Sequence, residues 1–256
     1  MMRILAGLVT LLVAAFLLVP VLLSALAGLT ANWLLGISGG LTTRWIERVW
    51  ELYAHTIALS AWIALCCLVA TLLLGVPAAY ALARSEGRWP RLVEELLTLP
   101  LAVPGLATAL GLILLWGAMG DIRTHWGFVL IGHVVFTLPF ILRATLAAMR
   151  GTDLVTLEEA ARACGAGFRQ RFLGIVLPNA RRGILAGSLM VVALSLGEFN
   201  TTLLLATPFT MTLPVGLADS YASMRLEIGS AFTLLFLLLV VPPMLLLQAV
   251  ADRVAR

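Results

Sequence analysis

Six runs of about 20 apolar residues constrain this chain more than any other feature of its sequence. A helix of that length spans a bilayer, whereas a soluble core cannot hide so many apolar side chains. The 256 residues are 61% hydrophobic and only 12% charged. The sequence therefore excludes an ordinary soluble enzyme and predicts an all-α integral membrane protein. The predicted spans are residues 4–26, 56–82, 96–119, 127–148, 183–206 and 230–250.

We expect the six spans to form a single polytopic membrane domain over residues 1–256. The first run also resembles a secretory signal, because its apolar stretch ends at Ala25-Leu26-Ala27. Its apolar core is longer than the roughly 7–15 residues typical of a signal. We therefore expect it to be retained as the first membrane helix, although cleavage there would leave five spans.

The cationic residues predict how the spans are oriented. All 17 are Arg, and 13 of them fall on one side of the membrane when the N-terminus is placed in the cytoplasm. By the positive-inside rule, both termini are expected in the cytoplasm of a bacterium, with the protein in its inner membrane. The Arg residues flank the apolar runs instead of forming a basic face, which argues against nucleic acid as a partner.

The absence of Lys limits the chemistry available to this chain. A P-loop needs a Lys to reach the β- and γ-phosphates of ATP, so no standard P-loop is present. Neither the cysteines nor the histidines show the spacing of a metal site, and no catalytic residue is predicted. His133 falls inside the fourth span, where we expect a hydrogen-bonded structural role.

The segments between the spans are unequal. The outer segments, about 27–55, 120–126 and 207–229, are modest in length. The inner loop at 149–182 is polar and rich in Arg. Within it, Thr156 followed three residues later by Glu159 has the capping-box pattern and predicts the start of a short helix.

Gly165 is placed to end that helix, because glycine adopts the left-handed conformation at little cost. A second short helix is predicted over Phe168–Ile175, ending near Leu177 because Pro178 disfavours a helical residue before it. Two helices this short are not stable alone. The loop is therefore predicted to be a helical hairpin that lies on a partner surface.

The spacing within this loop resembles the EAA signature of the membrane subunits of bacterial ABC importers. Every fixed position of that 20-residue pattern agrees, and the loop lies between the fourth and fifth of six spans, as in that family. A further similarity is the stretch from Pro77 to Arg84 at the end of the second span. The matching residues are Glu159, Ala160, Ala161, Gly165, Ile175, Leu177 and Pro178.

The resemblance implies that the hairpin is a coupling helix, seated on a separate cytoplasmic ATPase subunit. It implies that ATP and Mg are bound by that partner, and that this chain holds no cofactor and is not an enzyme. It also implies a periplasmic binding protein that delivers the substrate. Since six spans enclose only part of a pathway, a second permease subunit, identical or homologous, is expected beside the membrane lipid.

One acidic residue, Glu198, falls inside a predicted span, and a charge at bilayer depth suggests a functional site. Polar residues follow it on the chain: Asn200, Thr201 and Thr202. These side chains are expected to face the bundle, either lining a translocation pathway or forming structural hydrogen bonds, in the case of Glu198 to Ser195 or His133. Gly183 and Gly187 form a GxxxG step, for which packing inside the chain is favoured over a contact between subunits.

The substrate is the least constrained prediction. The single carboxylate of Glu198 favours a polyamine-like cation such as spermidine or putrescine. The same machinery in the resembling family serves ferric iron, phosphonate, thiamine or an oxyanion, which remain alternatives. A secondary transporter or channel is a more remote alternative, and it would need no ATPase. An intramembrane protease built on Ser38 is disfavoured, because Ser38 falls in an outer loop instead of starting a span.

Overall fold

The computed structural model describes residues 2–223 and 226–255 and is 85% helical. Two of the Arg residues used to predict orientation, Arg225 and Arg256, lie outside the described residues. The part that the structure describes contains no strand, only an isolated bridge between Thr30 and Leu41. Its α-helices are α1 (Met2–Ala27), α2 (Arg44–Ala83), α3 (Arg88–Thr98), α4 (Gly105–Trp116), α5 (Trp126–Arg150), α6 (Leu154–Ala163), α7 (Phe168–Arg171), α8 (Leu177–Gly197), α9 (Asn200–Leu205), α10 (Leu213–Ala222) and α11 (Leu226–Ala255).

The six predicted spans compare with five or six membrane helices in the structure. Within the described ranges, five helices are long and apolar enough to cross a bilayer, and the bent pair α3 and α4 makes a sixth if the two together form one span. The five are α1, α2, α5, α11 and the helix that runs without interruption from Phe168 to Gly197. The fold is therefore an all-α membrane bundle, as the sequence predicts.

The predicted third span, 96–119, is wrong as a continuous helix. The axes of α3 and α4 are bent by 106° at the break between them. Pro100 is the second residue of a 3₁₀ turn at Leu99–Ala102, and Pro104 is the N-cap of α4. A proline lacks the N–H that an α-helix needs and clashes with the preceding turn, so two of them in five residues interrupt the span.

The predicted outer segments are more helical than expected. Instead of starting near Thr56, α2 begins at Arg44 and is 40 residues long. Its first turns mix charged residues with Val49, which is fully buried, so they are amphipathic and escape a search for apolar runs. Likewise, α10 lies within the segment expected as a loop at 207–229.

Two compact units share the chain. The first combines Met1–Ile57 with Leu213–Val241, and in it Val49 and Leu213 pack around Phe232. The second combines Ala58–Thr212 with Pro242–Arg256, and it contains every residue proposed from the sequence for docking or for the pathway. One apolar cluster of this unit, which we call its inner core, packs the end of α2 against α5, α6 and α8. It consists of Val76, Ala79, Leu82, Leu142, Leu146, Met149, Leu154, Val176 and Ala180.

Close packing of α5 against α8 holds the second unit together and depends on the GxxxG step. A Cβ on Gly183 would lie 2.5 Å from Ala148 Cβ, and one on Gly187 would lie 2.9 Å from Ile141 Cα. Real atoms do not approach so closely, so only glycine allows these two backbones to meet. The prediction that this step packs inside the chain is confirmed.

Candidate docking hairpin and membrane pathway

The inner loop forms the expected pair of short helices, α6 and α7, which we call the docking hairpin together with the turn that follows (Leu154–Val176). Its start differs from the prediction. The N-cap is Asp153, whose Oδ1 accepts the backbone N–H of Thr156 at 3.4 Å, so Thr156 is inside the helix and the predicted capping box does not form. Gly165 has φ +84° just after α6, in the left-handed conformation that the prediction requires of it.

The exit from the hairpin also differs. Instead of ending near Leu177, the helix passes through a π-helical turn at Phe172–Val176 and continues as α8. Pro178 lies in the first turn of α8, where the missing N–H of proline is tolerated. The hairpin is therefore continuous with a membrane helix, and no loop separates them.

The residues that match the EAA pattern divide into two groups. Glu159, Ala160, Gly165 and Pro178 are exposed, and Ala161 is half-buried. The other two, Ile175 and Leu177, pack against the inner core of the second unit and support the fold of the hairpin from within.

Large apolar side chains on the hairpin are also exposed, and no pattern in the sequence indicates this. Leu157 is 44% exposed and Phe168 is 59% exposed. Exposed apolar residues that gather on one small element indicate a surface for a partner. The set is Val155, Leu157, Phe168 and Leu173.

Glu158, the neighbour of the motif glutamate, is the buried charge of the hairpin. Its side chain is 0% exposed, and its Oε2 lies 2.6 Å from Arg84 Nη1 at the end of α2. Its other oxygen, Oε1, accepts the Tyr80 hydroxyl at 3.0 Å. Hydrogen bonding to Tyr80, together with the Glu158 carboxylate, raises the pKa of the Arg84 guanidinium. Both carboxylate oxygens are thus satisfied, as a buried charge requires.

Tyr80 also contacts the second arm of the hairpin. Its ring meets Phe172 edge-on with centroids 5.3 Å apart, and Phe168 stacks on Phe172 at 5.8 Å. Such aromatic pairs are each worth about 0.5–1.5 kcal/mol beyond the area they bury. The end of α2 is therefore bonded to α6 through Glu158 and packed on the α7 arm through Tyr80.

The predicted fifth span, 183–206, is not continuous, and Glu198 lies at its break. Helix α8 ends at Gly197, and Glu198 is extended with φ −70° and ψ 116°. The Glu198 carboxylate is buried and accepts the backbone N–H of Thr201 at 2.6 Å, which helps to start α9. A helix end exposes unpaired N–H groups, so a carboxylate there is stabilised by the backbone.

The expected pathway residues lie on both sides of this break. Asn200 is exposed, whereas Thr201 and Thr202 are fully buried. The start of α4 reaches the same point, because a Cβ on Gly105 would lie 2.9 Å from Thr201 Oγ1. The breaks in the third and fifth spans therefore meet in the interior of the second unit.

His133 connects the two halves of the broken span. Its Nδ1 lies 2.8 Å from Ser195 Oγ in α8, and its Nε2 lies 2.8 Å from Thr202 Oγ1 in α9. The expected structural role of His133 is confirmed. The hydrogen bond predicted between Glu198 and Ser195 or His133 is wrong, because the two latter residues bond to each other and Glu198 bonds to the backbone.

The comparisons with known proteins agree with this arrangement. Residues 71–256 match the family described as binding-protein-dependent transport system inner membrane component. This chain belongs to that family, and it is accordingly a permease subunit of an ABC importer.

Individual relatives and a solved structure give the same result. A probable molybdenum ABC transporter permease of Haloferax volcanii is 34% identical over 183 residues, 68% of this chain and 67% of that protein. The molybdenum transport system permease ModB of Mycobacterium tuberculosis is 32% identical over 193 residues, 70% and 72% of the two chains. A bacterial alginate ABC transporter has the same fold, with a TM-score of 0.79 at 14% identity, covering 99% of this chain and 96% of that one. Both relatives are named for molybdenum and neither for a polyamine.

Proposed function

We propose that this chain forms the translocation pathway of an ATP-driven importer and moves a tetrahedral oxyanion, molybdate in the first instance. The docking hairpin supports the first part. It presents Glu159, Ala160 and Gly165 together with exposed apolar side chains, and it continues without a loop into α8. A cytoplasmic ATPase subunit, which binds ATP and Mg, docks on this surface. This proposal places both termini in the cytoplasm and makes this chain non-catalytic.

The substrate part rests on the molybdenum permeases among the relatives and on the chemistry of the break in the fifth span. Thr201 Oγ1 is buried, and no hydrogen-bond partner for it lies within the described residues. It lies beside the start of α4, where backbone N–H groups are unpaired. Hydroxyl and backbone N–H donors suit an oxyanion, whereas a polyamine needs carboxylates. The buried Glu198 carboxylate is already bonded to the backbone. We assign Glu198, Asn200, Thr201 and Thr202 to the pathway.

The proposal also includes two partner proteins outside the ATPase. A periplasmic binding protein captures the anion and delivers it to the outer side of the spans. A second permease subunit, identical or homologous, completes the pathway. A secondary transporter would do without these partners, so dependence on ATP distinguishes the two mechanisms.

Co-purification tests the docking surface. Leu157→Asp places a charge on the exposed apolar surface of α6, and we expect retention of the ATPase subunit to fall by about tenfold, as for a central interface residue. The matched control is Phe209→Asp, because Phe209 is also a large exposed apolar residue but lies beyond the other end of α8. Equal retention by the two variants would refute docking at the hairpin.

Competition during uptake tests the substrate. Vesicles that contain the complete transporter should accumulate radioactive molybdate, and excess tungstate or sulfate should reduce that accumulation because their shape and charge are similar. Excess spermidine should have no effect. Uptake of spermidine without uptake of molybdate would restore the polyamine interpretation.

A further inference from the structure

We propose that Tyr80, Arg84 and Glu158 form a joint through which movement of the docking hairpin reaches α2. The proposal rests on the proposed function, since it concerns how the force of the ATPase enters the membrane helices. These residues lie outside the set that the EAA pattern marks. The joint gives each of them a positioning role in transport.

The connectivity of the chain shows why such a joint is needed. The hairpin is joined covalently to α5 on one side and to α8 on the other. Arg84, at the end of α2, is 74 residues away from Glu158 in sequence. Movement of the hairpin therefore reaches α5 and α8 through the backbone, but it reaches α2 only through contacts between side chains.

The contacts at this point join α2 to the hairpin. Glu158 is fully buried, and its two carboxylate oxygens bond to Arg84 and Tyr80. If α6 moved and α2 did not, the buried Glu158 carboxylate would lose both of its hydrogen-bond partners, which is costly for a charge. The Tyr80 ring, packed on Phe172, adds a second contact with the other arm.

A purely structural role makes a different prediction from a transmitting role. If the ion pair only stabilises the fold, its loss lowers the amount of intact transporter, but each surviving complex still moves the same number of anions per ATP. If the ion pair transmits movement, the surviving complexes hydrolyse ATP without moving α2. The number of anions transported per ATP hydrolysed therefore distinguishes the two roles.

The test uses the complete transporter, purified with its ATPase and reconstituted with its binding protein. In Glu158→Gln the side chain keeps its shape and an oxygen for Tyr80 but loses its charge. We expect ATP hydrolysis within about twofold of wild type and molybdate uptake per ATP lower by about fivefold or more, the usual size of coupling between sites. The control is Glu95→Gln, which removes an exposed carboxylate from α3 and should leave the ratio unchanged.

Two further variants complete the test. Arg84→Gln should lower the same ratio, and its control is Arg88→Gln, which removes an exposed cation at the start of α3. Tyr80→Phe keeps the aromatic packing and loses one hydrogen bond, so its ratio should fall less than in Glu158→Gln. If Arg84→Gln does not accumulate, the nearly isosteric Glu158→Gln decides the matter alone.

The outcomes separate the two proposals. An unchanged ratio in Glu158→Gln, with wild-type uptake intact, would overturn the joint and leave the proposed function standing. A wild-type complex that hydrolyses ATP and moves no oxyanion would overturn the proposed function, and the joint with it.

Discussion

Replacing Gly183 by alanine tests the packing that holds α5 against α8. The new Cβ would lie 2.5 Å from Ala148 Cβ, and it would also collide with the backbone carbonyl of Ala144. Neither group can rotate away, so the two helices must separate by about 1 Å to reach ordinary contact distances. Overpacking of this kind costs about 1–3 kcal/mol, and the rigid neighbours place Gly183→Ala near the upper end.

The matched control is Gly111→Ala in α4, where a Cβ would meet nothing within 4 Å. Alanine favours a helix over glycine by about 1 kcal/mol, so the control should be slightly more stable than wild type. The same gain offsets part of the cost at Gly183, which leaves a net loss of about 2 kcal/mol. The two substitutions therefore differ in sign although their chemistry is identical.

Thermal unfolding of the purified chain in detergent measures this difference. For a chain of this size, a change of about 1 kcal/mol shifts Tm by roughly 2–4 °C. We expect Tm to fall by about 4–8 °C in Gly183→Ala and to rise by about 2–4 °C in Gly111→Ala. A Gly183→Ala variant as stable as the control would show that α5 and α8 do not meet as described.

Substitutions at four residues test the hairpin and the break in the fifth span by the same unfolding measurement. Arg84→Gln should destabilise the fold by about 3–5 kcal/mol, because it leaves the Glu158 carboxylate, 0% exposed, without its cation. Glu158→Gln should cost only about 1 kcal/mol, because the Arg84 guanidinium that it leaves unpaired is 33% exposed. The reverse order would contradict the burial of Glu158. Gly165→Val should cost about 1–2 kcal/mol at φ +84° while Gly165→Asn is tolerated, and equal losses would refute the left-handed turn. His133→Leu leaves the hydroxyls of Ser195 and Thr202 without their partner, so the free energy of unfolding should fall by about 1–3 kcal/mol. His133→Gln keeps one hydrogen bond and should lose less stability. No loss in either variant would argue against the hydrogen bonds of His133 to Ser195 and Thr202.

Much of the architecture could be predicted because it follows from local patterns. Long apolar runs identify membrane helices whatever they pack against. Gly165 and the Gly183–Gly187 step were found for the same reason, since backbone geometry at a turn or a close crossing admits few residues other than glycine. In these cases the pattern that reveals the feature lies within a few residues of sequence.

The remaining features depend on partners that are distant in sequence. Glu158 and Glu159 are adjacent and chemically the same, but Glu158 shares the buried face of α6 with Leu154, and its partner Arg84 is 74 residues away in sequence. His133 bonds to Ser195 before the break and to Thr202 after it, and both partners are more than 60 residues away in sequence. Pro100 and Pro104 could have indicated the break in the third span, but neighbouring helices also tolerate proline in continuous spans.

ATP-driven import is tested most directly by uptake into proteoliposomes that contain this chain, its ATPase and a second permease subunit, with the binding protein outside. We expect molybdate to accumulate only when ATP is present on the side of the ATPase, and removal of the ATPase to abolish uptake. Uptake at the full rate by this chain alone, without nucleotide, would contradict it.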